Sequence, residues 1–166
     1  DAYELADSWA TDAHKWLNVP YDCGIAMVRE AAPLHAAMAM TAAYLPPSGV
    51  RDPMHWSPDA SRRARAVDVW ARLAYLGKAG LANVVERCCQ HAQRMAHRLR
   101  EGGCRILNEV DLNQVLVSFG DDPTTDRVIA AVQEDGVCWC GGTRWQDQNA
   151  MRISVSSWAT SDADVE

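Results

Sequence analysis

Apolar residues recur at helical spacing through Val67, Trp70, Leu73 and Ala74, and again through Leu81, Val84, Val85, Cys88, Ala92, Met95, Ala96 and Leu99. Gly77 separates the two runs and Gly102-Gly103 follows the second. Two amphipathic helices in succession commit the middle of the chain and leave strands to its two ends. Because glycine is favoured just past a helix end, the first helix is expected from about Pro58 or Asp59 to Gly77 and the second from Leu81 to the glycine pair. The polar face of the second carries Glu86, Arg87, Gln90, Arg94 and Arg98, and neither His91 nor His97 needs a catalytic role there. Arg62, Arg63 and Arg65 fall in the expected first turns, where the helix dipole disfavours cations. They call for carboxylate or carbonyl partners, or else form a solvated basic face.

Strand patterns flank these helices. Gly24 to Arg29 is a short apolar run bounded by glycine and charge, read as a buried strand, and Glu30 to Tyr44 reads as a short helix and a loop. Leu45 to Pro58 contains four prolines and a glycine, which forbid a regular element and leave a long loop of the kind that is usually functional. Beyond Cys104 the order is strand, strand, helix, strand. Cys104–Leu107 and Asn113–Phe119 are strands about a turn, the second placing Val115, Val117 and Phe119 on one face. Pro123 opens a helix that Gly136 closes. Val137 to Cys140 is expected as a short strand and Gly141-Gly142-Thr143-Arg144 as a turn. In the last strand Met151, Ile153 and Val155 alternate with Arg152, Ser154 and Ser156, so Arg152 turns away from the buried set.

With 166 residues the chain is one domain or part of a larger one, and 48% hydrophobic residues suffice for a core. A formal charge of -6 argues against a general nucleic-acid binder. No apolar run reaches bilayer-spanning length and no secretion signal opens the chain, so no membrane partner and a cytoplasmic protein are expected. The six cysteines do not form CxxC pairs with metal-ligand spacing; no metal is expected, and all six read as reduced thiols, mostly buried. The chain begins at Asp1 without methionine and ends in the acidic run Asp162 to Glu166, which looks like the opening of another helix; a piece of a longer protein is expected.

Only two lysines occur, Lys15 and Lys78. Lys15 lies between His14 and Trp16, after the polar Thr11 and Asp12. Most lysines are exposed cations with no further role. A primary amine in a partly apolar setting loses its proton more readily, and only the neutral amine attacks a carbonyl.

The stretch Asp7 to Gly24, through Ala13-His14-Lys15-Trp16 and Tyr21-Asp22-Cys23-Gly24, closely resembles the lysine segment of pyridoxal-phosphate-dependent amino acid decarboxylases, the group of aromatic amino acid and glutamate decarboxylases. Ser61 to Trp70 resembles the segment after that family's active-site loop, and Met151 to Ser156 a late strand. The resemblance implies an α/β fold, the C-terminal part of a fold-type-I, aminotransferase-like enzyme. Residues 1–77 would finish the large cofactor domain and residues 78–166 form the small α+β C-terminal domain. It implies pyridoxal 5'-phosphate as cofactor, Lys15 as the Schiff-base lysine, His14 at the phosphate and Asp12 at a polar position near it. Arg152 would hold the substrate's α-carboxylate, for which a guanidinium fork is suited.

The implied reaction is decarboxylation of an L-amino acid to an amine and carbon dioxide, in a homodimer. The family's aspartate partner for the pyridinium nitrogen and its ring-stacking residue lie upstream of this stretch, so the stretch alone is expected to be inactive. Many relatives have a loop tyrosine that protonates the α-carbon; here Pro53 falls near its place. Either Tyr44 or His55 substitutes, or the reaction is the oxygen-consuming, aldehyde-forming variant. A non-catalytic interaction module is the alternative from another class.

Overall fold

The computed structural model describes residues 2–44 and 49–166. The chain divides into two compact units, Asp1–Ala74 and Tyr75–Glu166. The expected loop residues 45–48 lie outside the described residues.

In the first unit a 3-10 turn, Ala2–Leu5, leads into strand β1 (Ser8–Asp12), which pairs antiparallel with β2 (Gly24–Val28) in the register Ser8 with Val28 and Asp12 with Gly24. The ladder continues past Asp12, where the Ala13 N–H donates to the Cys23 carbonyl at 2.8 Å. β2 is the expected strand but it is not buried: only Ile25 is partly covered, and Met27 and Val28 are exposed. Its apolar side chains lie on a two-stranded ribbon, and no described element covers both faces. The core of this unit is small. Ala13, Val19 and Cys23 are buried, with Leu17, Ile25 and Val69 packed against them.

Helix α1 (Ala31–Met38) is short and carries no buried residue. A 3-10 turn, Pro53–His55, follows, with the Asp52 carboxylate accepting from the Met54 N–H at 3.1 Å. Helix α2 (Arg65–Glu101) begins later than expected; residues 61–64 before it are not helical. As expected, Gly77 interrupts the helical backbone: α2 is two helices joined across a kink at this residue, whose φ 59 and ψ -175 are non-helical and lie at a left-handed φ that glycine enters without steric cost.

The second unit holds the larger core. Strands β3 (Arg105–Ile106), β4 (Gln114–Ser118), β5 (Gly141–Trp145) and β6 (Gln148–Ser154) form an antiparallel sheet in the order β3-β4-β6-β5. β4 is buried on both faces, Leu116 and Ser118 as well as Val115 and Val117. Helix α3 (Asp122–Asp135) starts as its sequence requires. The Asp121 carboxylate accepts from the Thr124 N–H at 2.8 Å, and Gly136 closes the helix at φ 73. Ile129 of α3 packs with Val117, Cys140 and Met151, beside Leu99, Ile106 and Phe119.

Two expectations fail in this unit. Residues 137–140 form no strand, and the glycine pair 141–142 is not a turn but the start of β5, with Gly141 opposite Arg152 and Gly142 opposite Met151. Pairing is a backbone property, so two glycines take it up once β6 supplies a partner. The actual turn is Gln146-Asp147, both at positive φ. Finally, the acidic end forms a single 3-10 turn, Ala163–Val165.

Candidate active site

Lys15 lies in the turn that follows β1. Its N–H donates to the Asp12 carbonyl at 3.1 Å, and Asn18 closes the turn by donating its N–H to the Lys15 carbonyl at 3.1 Å. The Asn18 side chain donates to the Lys15 carbonyl at 2.8 Å and the Trp16 carbonyl at 3.2 Å. Asn18 has φ 52, a conformation asparagine tolerates better than most residues. Arg72 Nε donates to the Leu17 carbonyl at 2.8 Å.

The setting of Lys15 differs from the one expected. Its Nζ donates to Asp12 Oδ2 at 2.6 Å and its side chain is 64% exposed, so its neighbourhood is polar and wet rather than apolar. The hydrogen bond and charge of Lys15 hold the Asp12 carboxyl below its ordinary value of 3.8.

His14, the next residue back, is half-buried and faces the other strand of the ladder. The Cys23 N–H lies 3.1 Å from His14 Nδ1, and the Tyr21 ring lies 4.4 Å from the imidazole, centroid to centroid. Asp12, His14 and Lys15 are thus brought together on one turn, anchored by the buried Ala13 and Cys23.

Residues 20–22, which lead back into β2, are tied down by arginines. Arg63 donates to the carbonyls of Pro20, Tyr21 and Asp22, each at 3.2 Å. Arg65 binds the Asp22 carboxylate through Nη2 at 2.9 Å and the Asp22 carbonyl through Nε at 2.8 Å. The Arg65 hydrogen bond lowers the Asp22 carboxyl from its usual range. Of the two options left open for these arginines, carbonyl and carboxylate partners are found. Among the described residues Arg62 makes only a long contact, 3.4 Å to the Pro53 carbonyl.

Arg152 belongs to the second unit, on β6 opposite Leu116 of β4 and Gly141 of β5. It is exposed, and no hydrogen bond or ion pair among the described residues engages its fork. Met151, on the opposite face of the strand, is buried in the core and fixes β6, while Arg152 turns the other way. The sequence called for partners to Arg63 and Arg65 without pointing to residues 20–22, and it did not single out Asn18. The signal for Asn18 was present, since Asn-Val-Pro is turn-forming; nothing in the sequence says which carbonyl an arginine will seek.

Among the described residues no three His, Cys, Asp or Glu side chains could hold a metal ion, and no helix is long and apolar enough to cross a membrane. The six cysteines are free, with Cys23, Cys88 and Cys140 buried and Cys138 exposed.

Comparison with known proteins decides what such a turn belongs to. The family described as "Pyridoxal-dependent decarboxylase conserved domain" matches residues 2–120. The chain belongs to this decarboxylase family. It is 30% identical over 171 residues to histidine decarboxylase of Drosophila melanogaster, covering 98% of this chain and 20% of that protein. To aromatic-L-amino-acid decarboxylase of Drosophila lebanonensis it is 25% identical over 169 residues, covering 98% and 42%. The chain therefore spans well under half the length of these curated relatives.

Among solved structures, Oryza sativa TDC with PLP and tryptamine superposes with TM-score 0.90 at 18% identity, covering 99% of this chain and 37% of that one. Rhodiola rosea 4-hydroxyphenylacetaldehyde synthase superposes with TM-score 0.83 at 21% identity, covering 99% and 36%. The expected α/β fold is the fold found, shared with these structures.

Proposed function

We propose that the full-length protein carries pyridoxal 5'-phosphate on Lys15 and decarboxylates an L-amino acid to an amine and carbon dioxide. The observation that carries this reading is the turn itself: an exposed primary amine and an imidazole on adjacent residues, fixed by the β1–β2 ladder, in a chain of the pyridoxal-dependent decarboxylase family. The residues suit the group. Lys15 Nζ is accessible for attachment to an aldehyde carbon, and His14 offers a ring nitrogen for hydrogen bonding to a phosphate oxygen.

Bound there, the cofactor supplies an electron-withdrawing ring into which the electrons of the carboxylate bond can flow. The protein's own residues do the rest. Asp12 accepts a hydrogen bond from Nζ at 2.6 Å and so holds the amine in place on the turn. Asp12 acts in the cofactor site through Lys15 rather than on the phosphate, since two anions repel. Arg152, with its fork unengaged among the described residues, is the residue assigned to the substrate's α-carboxylate. In this reading residues 1–77 finish the cofactor domain, residues 78–166 form the small domain, and the protein works as a cytoplasmic homodimer.

A second reading has one observation in its favour. Pro53, near the place of the relatives' loop tyrosine, opens the 3-10 turn Pro53–His55 and has no proton to give, while His55 Nδ1 is buried without a hydrogen-bond partner among the described residues. One structural neighbour is itself an aldehyde synthase. Oxidative formation of an aldehyde is therefore the alternative. Incubating full-length protein and cofactor with L-histidine and aromatic L-amino acids separates the two. Amine with carbon dioxide supports decarboxylation, aldehyde with ammonia supports the variant, and neither product with any of them would leave the interaction-module reading in possession.

A further inference from the structure

Three successive carbonyls, those of Pro20, Tyr21 and Asp22, converge on the single guanidinium of Arg63. Backbone carbonyls without a ladder partner need a donor, and a planar fork with five N–H groups serves several at once where an ammonium cannot hold the same geometry. Arg65 secures the same loop through both the backbone and the carboxylate of Asp22. The arginines come from more than forty positions further along the chain, so these contacts are tertiary rather than local.

The next residue transmits this hold to His14. Cys23 is 2% exposed, and its N–H and carbonyl both lie 3.1 Å from His14 Nδ1. The two contacts demand opposite tautomers, and hydrogen-bond satisfaction chooses between them. The Cys23 carbonyl already accepts from the Ala13 N–H at 2.8 Å. A protonated Nδ1 would face the Cys23 N–H and leave that donor unpaired in a buried place. With Nδ1 as acceptor both the N–H and the carbonyl of Cys23 are paired, and Nε2 bears the proton. The Tyr21 ring lies beside the imidazole, tilted at 57° with its centroid 4.4 Å away.

We infer that Arg63, assisted by Arg65, is a positioning residue of the His14–Lys15 site, holding residues 20–23 so that His14 presents Nε2–H as a donor to a phosphate oxygen. This rests on the cofactor reading above. It assigns to Arg63 a role in phosphate recognition although Arg63 itself is bound to backbone.

The test uses full-length protein stripped of cofactor and titrated with pyridoxal 5'-phosphate and, separately, with pyridoxal, which lacks the phosphate; binding is read by the absorbance change that depends on Lys15. Loss of a supporting shell typically weakens a ligand site about tenfold or more, so Arg63→Met is expected to weaken the phosphorylated form by about that factor and pyridoxal by much less. Arg63→Lys keeps the charge without the fork and is expected to recover only part. Arg62→Met, in the same basic run, should change neither. A general loss of structure would weaken both ligands together, and equal weakening, or none, overturns the inference. Should Arg63→Met fail to fold, Arg63→Lys and Asp22→Asn carry the same two-ligand comparison, with smaller shifts of the same selectivity. If wild-type protein and Lys15→Ala give identical spectra, the cofactor reading falls and this inference with it; if wild-type binds and the arginine variants show no selectivity, the inference falls alone.

Discussion

The two units are stabilised in different ways. In the second, Val84, Cys88, Ala92 and Ala96 of α2, Val115 to Val117 of β4, Ile129 of α3 and Ala150 and Met151 of β6 are all buried, and burial of apolar surface is what holds such an arrangement together. In the first, the buried set is Ala13, Val19 and Cys23, and the site-bearing turn is fixed largely by hydrogen bonds from charged or amide side chains to backbone carbonyls: Asn18 to 15 and 16, Arg72 to 17, Arg63 to 20, 21 and 22. The lesson is a division of labour. Changes at the turn should alter chemistry with little effect on stability, and changes in the second unit's core should do the reverse.

The sharpest break of that contrast would be a Lys15 variant that unfolds. Lys15→Ala is expected to reduce product formation to background while the thermal melting curve of cofactor-free, full-length protein stays where it was, because an exposed ion pair contributes little to stability. In the second unit, Val117→Ala removes a fully buried side chain from the core and is expected to cost roughly 2–3 kcal/mol in denaturant unfolding, with attachment of the cofactor intact in the folded protein.

Thr125→Val keeps the shape of a fully buried side chain but removes the hydroxyl that accepts from the Phe119 N–H at 3.2 Å. An unpaired buried donor costs about 1–3 kcal/mol, again measured by denaturant unfolding.

The Asp12–Lys15 pair gives a smaller effect with a definite sign. Asp12 is held below 3.8 in the folded state by its hydrogen bond from Lys15, so the pair's contribution is complete above that value and is lost as pH falls through the lowered one. Asp12→Asn should remove this acid-side component, and raised salt should shrink the difference between the two proteins, as seen in stability measured across the acid range. Smallest of all, His97→Ala disturbs only an exposed pair with Glu101 and should shift stability by less than about 0.5 kcal/mol.

The same contrast explains what could be read from the sequence. The α2 stripe and the ends of α3 were legible because apolar period and cap chemistry are local: Asp121, Pro123 and Gly136 do in the structure what their residue types suggest. β5 was not, since Gly141-Gly142 looks like a turn until β6 is there to pair with it. β1 was not either; Ser8 to Asp12 lacks a buried alternation, four of its five residues are exposed, and its strand character comes from β2. At the candidate site, His14, Lys15, Asp12 and Arg152 were picked out through resemblance. The polar setting of Lys15 and the arginine hold on residues 20–22 were not, because both depend on where side chains distant in sequence, or three residues away on a turn, come to rest.

One measurement bears most directly on the claim that Lys15 carries the cofactor. Full-length protein incubated with pyridoxal 5'-phosphate is reduced with borohydride, digested, and its modified peptide sequenced by mass spectrometry. The account predicts a single phosphopyridoxyl group on Lys15. Modification elsewhere with Lys15 untouched, or no modification at all, would contradict it.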